Sequence, residues 1–535
     1  MSFVLNDRSN EQVSFYDPWA ILTERERRFL DKSWAKYFAD HIFPLIDERP
    51  YAVLYSNNDS RPNTPVNVQI GALILKEFSG LSDEELLMSM LFDIRYRYAL
   101  HTTGYAEQPM SDRTLGRFRA RCIAYENETG IDLLQQTIDS LSHEIATLMG
   151  MDTSLKRMDS MMIAANIKKL SRLELLYVTV SNLVEEVERK QGVLPNELKH
   201  YGETGDRNLV IYHSKSEETD DKIAKVLFEA QLLMEYCRDD YFESSNYQML
   251  RRVLQEQAVL ENGTYRLRTT ADGGMHSGII QNPSDPDATF RDKAGKHHRG
   301  YAANLVESSN ENGSVVTDYQ FEPNNYSDAS FMEDALDKMG EQSDPTTIVA
   351  DGAYSGENLK SIAAKNNITI VNTNLSGKEP DRFLASFVLS EDGTRIVKCP
   401  AGYEPKSSSI NAKTGIISSS FHKTDCANCP YRDVCHPKEY GRTFKKQISL
   451  KSIHRAFEYA TRKTESFKEF CHFRNGVEAL PSLLRRKFHA DRMPVRGKIR
   501  SKFFFGCKIG ALNFLKFCRF LQSSPLCAQP ALISG

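Results

Sequence analysis

The sequence contains little cysteine, only two tryptophans and no long apolar run. Ten cysteines in 535 residues are too few for a disulfide scaffold. The best apolar stretch, residues 503–517, contains Lys508 and two glycines, so it falls short of the roughly 18 apolar residues that cross a bilayer. It instead predicts a buried helix or strand. Residues 1–10 lack the basic-then-apolar order of a signal peptide, so we expect a cytoplasmic protein.

A large excess of one charge is also absent, since the formal net charge is −3. This balance argues against a protein that coats nucleic acid over its whole surface. The average conceals a basic segment from Lys468 to Arg519, in which thirteen basic residues stand against three acids. Such an imbalance suits a polyanionic partner, although a charge run can equally be a solvated face. The charge pattern alone leaves both interpretations open.

The length predicts several domains, because 535 residues exceed what one hydrophobic core accommodates. Residues 1–150 are predicted to form an all-α domain. Two of its helix starts carry the capping-box pattern, in which a hydroxyl residue precedes a glutamate by three positions. These starts are Thr23 with Glu26, and Ser82 with Glu85.

A third predicted helix follows Ser111 and carries a basic stripe. Arg113, Arg117 and Arg121 recur every four residues, which places them on one helical face. Several short helices ending in a basic one fit a helix-turn-helix-like module whose last helix faces DNA phosphates. A helical bundle with a solvated arginine stripe explains the same pattern equally well.

Beyond residue 151 the pattern changes to strands joined through helices, which implies a mixed α/β sheet with acids gathered at strand ends. The predicted elements are strands at 154–165, 299–307, 314–322, 346–350 and 368–372 and helices at 328–339, 355–366 and 463–488. The predicted division is a helical domain at 1–150, an α/β core at 151–373 and 446–520, a largely helical insertion at 166–290, a Cys-rich insertion at 374–445 and a disordered tail at 521–535.

Three acids stand out in this core. Asp159 lies in an apolar strand, Asp351 ends a buried strand, and Glu478 lies on the predicted helix at 463–488. Each one alone is more simply a turn cap or an arginine partner. Together, three carboxylates suit Mg²⁺, and two such ions can activate a hydroxyl and stabilise the leaving oxygen of a displacement at phosphorus. Arg474 and Arg485, one or two turns from Glu478, would then bind phosphates.

The strings around these acids resemble those of bacterial insertion-sequence transposases of the DDE type. The similar segments are residues 157–166, 300–304, 323–328 and 348–355, and residues 474–478 followed by Arg485. Residues 60–120 resemble the helical domain that precedes the core in one subgroup. The resemblance implies a ribonuclease-H-like core in which Asp159, Asp351 and Glu478 position Mg²⁺ or Mn²⁺ for 3′-end cleavage and strand transfer.

The resemblance also implies double-stranded DNA as partner, both the terminal inverted repeats of the element and its target. A homodimer or higher oligomer on DNA, associated with the nucleoid, is expected. Arg474 and Arg485 are predicted to hold phosphates and residues 485–502 to hold the flanking duplex, while the N-terminal helices recognise the ends. The predicted DNA-binding residues are Arg113, Arg117, Arg121, Arg474, Arg485, Arg486, Lys487, Arg496 and Lys498.

Four cysteines cluster in the predicted insertion at 374–445. Cys399, Cys426, Cys429 and Cys435 include one C-x2-C pair, and two further cysteines lie within forty residues of it. Such a cluster indicates a structural zinc site, although its spacing departs from the regular paired form and His422 or His436 could replace one of the ligands. Reduced thiols in a small packed insertion are the alternative.

Two other functions remain open at this level. A structure-selective nuclease with the same core would cleave DNA without joining it. A domesticated DNA-binding protein would have lost the chemistry, although all three acids are present here in matching context.

Overall fold

The computed structural model describes residues 1–6, 22–58, 60–102, 110–212, 218–293, 295–374, 379–462 and 464–523. These fold into two units. The first comprises Met1–Ser154, Asp159–Phe331 and Ala479–Gly535, and the second comprises Leu155–Met158 and Met332–Glu478. Most of the tail predicted at 521–535 lies outside the described residues.

The N-terminal region is helical, as predicted. Its helices are α1 (Glu24–Asp31), α2 (Trp34–His41), α3 (Val66–Ser79), α4 (Asp83–Phe92), α5 (Ile94–Ala99), α6 (Asp112–Thr129) and α7 (Leu133–Leu148). Both predicted capping boxes form: Thr23 exchanges hydrogen bonds with Glu26, and Ser82 with Glu85. At α6 the Ser111 side chain makes no bond to the helix backbone, although Ser111 is the capping residue.

Strand β1 (Leu155–Ala164) follows, and after it comes a helical region with its own hydrophobic core. That region contains α8 (Arg172–Arg189), α9 (Asp206–Ile211), α10 (Thr219–Tyr236) and α11 (Ser245–Gln257), and ends in the hairpin of β2 (Ala258–Glu261) and β3 (Thr264–Leu267). The described part of the predicted helical insertion at 166–290 is therefore largely helical up to residue 257 and contains strands and irregular structure beyond.

The first unit continues with three antiparallel strands, β4 (Thr289–Lys293), β5 (Lys296–Asn310) and β6 (Gly313–Pro323). The β5–β6 pair is the predicted hairpin. On its other side β5 borders β1, and the two backbones approach so closely at Gly300 that a Cβ there would lie 2.5 Å from the Ala165 nitrogen. Only glycine fits this position, whose φ of +139° also disfavours other residues.

The strands that the second unit contributes to this sheet are parallel. Helix α12 (Asp328–Met339) leads to β7 (Thr346–Ala350), and α13 (Glu357–Lys365) connects β7 to β8 (Ile368–Asn372). Leu155, Lys156 and Arg157 of β1 pair with β7, so that Arg157 lies opposite Val349. The sheet contains both antiparallel and parallel strand pairs and is therefore mixed, as predicted.

The Cys-rich segment contains small β-structures. Its elements are β9 (Val388–Leu389), β10 (Ile396–Lys398), β11 (Ser407–Asn411), β12 (Ile416–His422), α14 (Lys423–Ala427), α15 (Arg432–Cys435), β13 (Lys438–Tyr440) and β14 (Thr443–Ser449). The last four strands form an antiparallel sheet in the order β11-β12-β14-β13. Apolar residues of these strands and of the following helix form a separate core, which includes Ile417, Phe421 and Ile453.

The C-terminal elements are α16 (Leu450–Thr461), α17 (Glu465–Asn475), α18 (Ala479–Phe488) and α19 (Lys498–Ser523). One continuous helix over 463–488 was the wrong prediction, because a 3₁₀ turn at Gly476–Glu478 separates α17 from α18. The apolar stretch at 503–517 is a buried helix, part of α19, which packs against α3, α7 and β6. Within the described ranges no helix has the length and apolar character needed to cross a membrane.

Candidate active site

Asp351 lies where β7 ends. Its carboxylate caps the short 3₁₀ turn Gly352–Tyr354, because Oδ1 accepts the Ala353 N–H at 2.8 Å. The Asn372 amide donates to the Asp351 carbonyl oxygen at 2.9 Å and ties the ends of β7 and β8 together. The strand and its cap thus hold the half-buried Asp351 side chain at the end of β7, the position that the sequence predicted.

Glu478 lies on the turn between α17 and α18 and is largely exposed, with 68% of its side chain accessible. Arg474, whose side chain is 11% exposed, lies 3.5 Å from Glu478 Oε1 through Nη1 and 3.8 Å from Asp351 Oδ2 through Nη2. One buried guanidinium therefore faces two of the three predicted acids. These three residues come together although 127 positions separate Asp351 from Glu478 (478 − 351).

Asp159 belongs to the first unit and is half-buried in β1. Its Oδ1 accepts the N–H of Ser160 at 3.0 Å, and the Ser160 hydroxyl donates to Asp328 Oδ1 at 2.8 Å. Asp328, the first residue of α12, lies in turn 3.7 Å from Arg291. Along β1, Asp159 is two residues beyond Arg157.

The three carboxylates offer the hard oxygen donors that Mg²⁺ and Mn²⁺ prefer. In the described part of the chain, no three histidine, cysteine, aspartate or glutamate side chains are arranged to hold a metal ion. The donor chemistry fits a divalent cation. In the arrangement observed, however, the Arg474 guanidinium supplies the positive charge between Asp351 and Glu478.

Some of the predicted DNA-binding cations are exposed, and others already contact acids or carbonyl oxygens of the protein. Arg485, Arg486 and Lys487 at the end of α18 are exposed. Burial lowers the pKa of His298, and nearby cations, including Arg485, lower that pKa further. Lys487 lies 5.3 Å from the centre of the Phe78 ring, and partial burial lowers the pKa of its ammonium group. The end of α18 thus concentrates positive charge at the surface.

The next predicted cations are engaged with the protein itself. Arg496 donates through Nε to the Asn166 carbonyl oxygen at 2.8 Å, and Lys498 forms an ion pair with Glu322. Other lysines of α19 behave in the same way. They are Lys502 with Glu126 and Asp132, Lys508 with Glu77, and Lys516 with Glu307. Much of the basic segment therefore neutralises acids of the first unit.

On α6, Arg113 and Arg117 are exposed, whereas the Arg121 guanidinium lies 4.8 Å from the centre of the Tyr55 ring. The arginine that the stripe omits, Arg119, faces inward and forms two hydrogen bonds with Asp83, at 2.5 and 2.8 Å. These bonds, more than any other interaction, lower the pKa of Asp83 to about 2.

All four clustered cysteines line one small cavity in the second unit, together with aromatic residues such as Phe387 and Phe421. Burial, followed by the neighbouring thiols of Cys429, Cys435 and Cys399, raises the pKa of Cys426 to about 11. The sequence cluster is therefore a cluster in space.

Sequence reasoning missed Arg157. Arg157 is buried in strand β1, two positions before Asp159. A charged residue inside an apolar strand is unusual, and this was the signal in the sequence.

Residues 398–518 match the family model for a transposase DDE domain, and residues 27–121 match that for a transposase domain, DUF772. Both matches support a DDE-type insertion-sequence transposase. The first match contains Glu478 and the four clustered cysteines, and the second contains the arginines of α6. Comparisons with curated proteins and with solved structures return no match. A transposase family of this kind implies a DNA substrate and an enzyme that cleaves or transfers nucleic acid.

Proposed function

We propose that the transposase cleaves the 3′ ends of an insertion-sequence element and joins them to target DNA, with Asp159, Asp351 and Glu478 acting together. The observation that carries the proposal is the meeting of Asp351, Glu478 and Arg474 at the end of β7. Asp159 joins this set because its string, residues 157–166, resembles the first-aspartate block of DDE-type transposases.

Mg²⁺ or Mn²⁺, when bound by such carboxylates, supplies the charge that activates the attacking hydroxyl and stabilises the leaving oxygen at phosphorus. The chain contributes the positions of these carboxylates. The cap at Ala353 restrains Asp351, and the Ser160 N–H restrains Asp159. Arg474 balances the acids in the free protein and can bind a phosphate of the scissile strand when DNA arrives.

The exposed cations at the end of α18 and on α6 are proposed to bind the DNA backbone. Arg485, Arg486 and Lys487 would hold the flanking duplex, and Arg113 with Arg117 would help the N-terminal helices to recognise the ends. Contacts of this kind give affinity without sequence information. We further propose a homodimer or higher oligomer on DNA, associated with the nucleoid.

The test is cleavage of DNA that carries the two element ends, by wild type and by Asp159→Asn, Asp351→Asn and Glu478→Gln. Each variant is expected to bind DNA and to lose metal-dependent cutting by about three or more orders of magnitude, because each removes a charged ligand. Glu469→Gln, an exposed change on α17, is the matched control and should cut normally. Near-normal cutting by one of the three variants would mean that its acid is misassigned.

Joining is tested separately, with DNA ends already cut to expose the 3′-hydroxyl. A transposase inserts these ends into a target plasmid in the presence of Mg²⁺. Cleavage of uncut ends without any insertion of pre-cut ends would favour a nuclease instead.

The four cysteines line one cavity, although they are not arranged around an ion in the free protein. We also propose that Cys399, Cys426, Cys429 and Cys435 close on a structural Zn²⁺, since thiolates are preferred zinc ligands. Purified protein is expected to contain about one equivalent of zinc, and Cys429→Ser to lose it. Less than about half an equivalent, with folding unaffected by a chelator, would contradict this proposal.

A further inference from the structure

Arg157 is a charged residue inside the second unit, only 8% exposed, two positions before the first predicted acid. Its Nη1 donates to the carbonyl oxygen of Phe473 at 2.8 Å, and its guanidinium lies 5.2 Å from the centre of the Phe473 ring. A buried cation is retained only where such partners compensate for its lost hydration.

The carbonyl oxygen of Phe473 explains why Arg157 lies at this position. Phe473 lies in the last turn of α17, where backbone carbonyls have no partner within the helix. A positive charge is also favourable at the C-terminal end of a helix, where the helix dipole is negative. Arg157 therefore fixes the end of α17 to strand β1 at the point where the helix gives way to the 3₁₀ turn.

Gly476, the first residue of that turn, confirms how close the contact is. Its φ of −63° and ψ of −24° are open to every residue, so its backbone does not require glycine. The limited space requires glycine, because a Cβ at Gly476 would overlap Arg157 Nη1 and lie 3.0 Å from Arg157 Cζ. The turn and the guanidinium are thus in direct contact, and Glu478 lies two residues further on.

We propose that Arg157 is a positioning residue, which holds the Gly476–Glu478 turn so that Glu478 and Arg474 face Asp351. This inference rests on the proposed function, since it assumes that Glu478 belongs to the catalytic set. Arg157 touches no reacting atom in this role. It acts through the turn, so its loss displaces the Glu478 carboxylate.

The experiment compares wild type with Arg157→Lys, Gly476→Ala and the double variant on end-containing DNA, over a series of Mg²⁺ concentrations. Each single change is expected to slow cleavage roughly 10–100-fold, because a displacement of about 1 Å costs that much. Each should also raise the Mg²⁺ concentration for half-maximal rate several-fold, with DNA affinity unchanged. The double variant should be no slower than the slower single variant, because lysine lacks the Nη1 atom that an alanine Cβ would meet.

Arg382→Lys is the matched control, since Arg382 is exposed and pairs with Glu379 at the surface. It should leave rate and Mg²⁺ dependence unchanged. The inference is overturned if Arg157→Lys and Gly476→Ala keep the wild-type Mg²⁺ dependence, or if their losses multiply in the double variant. Wild type that fails to cut would instead refute the proposed function, so the two failures are distinguishable. Melting temperatures, recorded for every variant, separate misplacement from unfolding.

Discussion

Lys508 provides the sharpest test of how the basic segment is used, because the sequence assigns it to a cationic run and the structure buries it. Its Nζ lies 2.5 Å from Glu77 Oε2 and 2.8 Å from the carbonyl oxygen of Phe488. The side chains of Lys508 and Glu77 are 8% and 12% exposed. We expect Lys508→Met to destabilise the protein and to leave DNA binding unchanged.

The magnitude follows from the partners left behind. Removing one member of a buried ion pair costs about 3–5 kcal/mol, because the other charge stays buried. Here Lys76 lies 3.5 Å from Glu77 Oε1 and compensates in part, while the Phe488 carbonyl loses a donor. These opposing effects lower the free energy of unfolding by about 2–4 kcal/mol. In a unit of this size that loss lowers the melting temperature by about 5 °C.

Thermal unfolding measures this loss, and a fluorescence titration with duplex DNA over a salt series measures binding. Arg519→Met, an exposed change on the same helix α19, should shift stability by less than about 0.5 kcal/mol. The double variant Lys508→Met/Glu77→Met should recover most of the lost stability, because it removes both charges and leaves Lys76 paired with Asp83 at 3.2 Å. If Lys508→Met kept full stability and instead reduced the salt dependence of DNA binding, this account of the basic segment would be refuted.

Two further outcomes follow from other cations. Since Arg119 lowers the pKa of Asp83 from 3.8 to about 2, this carboxylate stabilises the fold above about pH 4 and loses its effect as pH falls through 2. Thermal unfolding should show that wild type is more stable than Asp83→Asn by at most about 1 kcal/mol, since this side chain is 39% exposed. The difference should vanish as the pH falls from about 4 to 2. A constant difference would exclude the carboxylate as its source. Arg485→Ala should reduce the slope of log affinity against log salt by about 1 without changing the melting temperature, and an unchanged slope would remove Arg485 from the DNA contacts.

Local features were readable from the sequence. Strands β7 and β8 begin and end at the predicted residues, because short β-branched runs are bounded by polar turn residues there. The capping boxes of α1 and α4 involve residues three positions apart, so no distant part of the chain decides them. The hairpin of β5 and β6 is local in the same sense.

Features that depend on distant partners were not readable. The apolar stripe over 463–488 gave no sign of a break, since the turn at Gly476–Glu478 is held from outside by Arg157. Nor did the basic segment reveal which cations face inward, because their acids, such as Glu77 and Glu322, lie far away in the chain.

The sequence by itself therefore determined the elements of this protein and their order, and it singled out the three acids. Only the tertiary structure decided how two of those acids meet on Arg474, and that a buried arginine supports the turn that carries Glu478. The reason is physical. Helix caps and strand periodicity depend on neighbours in the chain, whereas the pairing of a buried charge depends on whichever groups the completed fold brings to it.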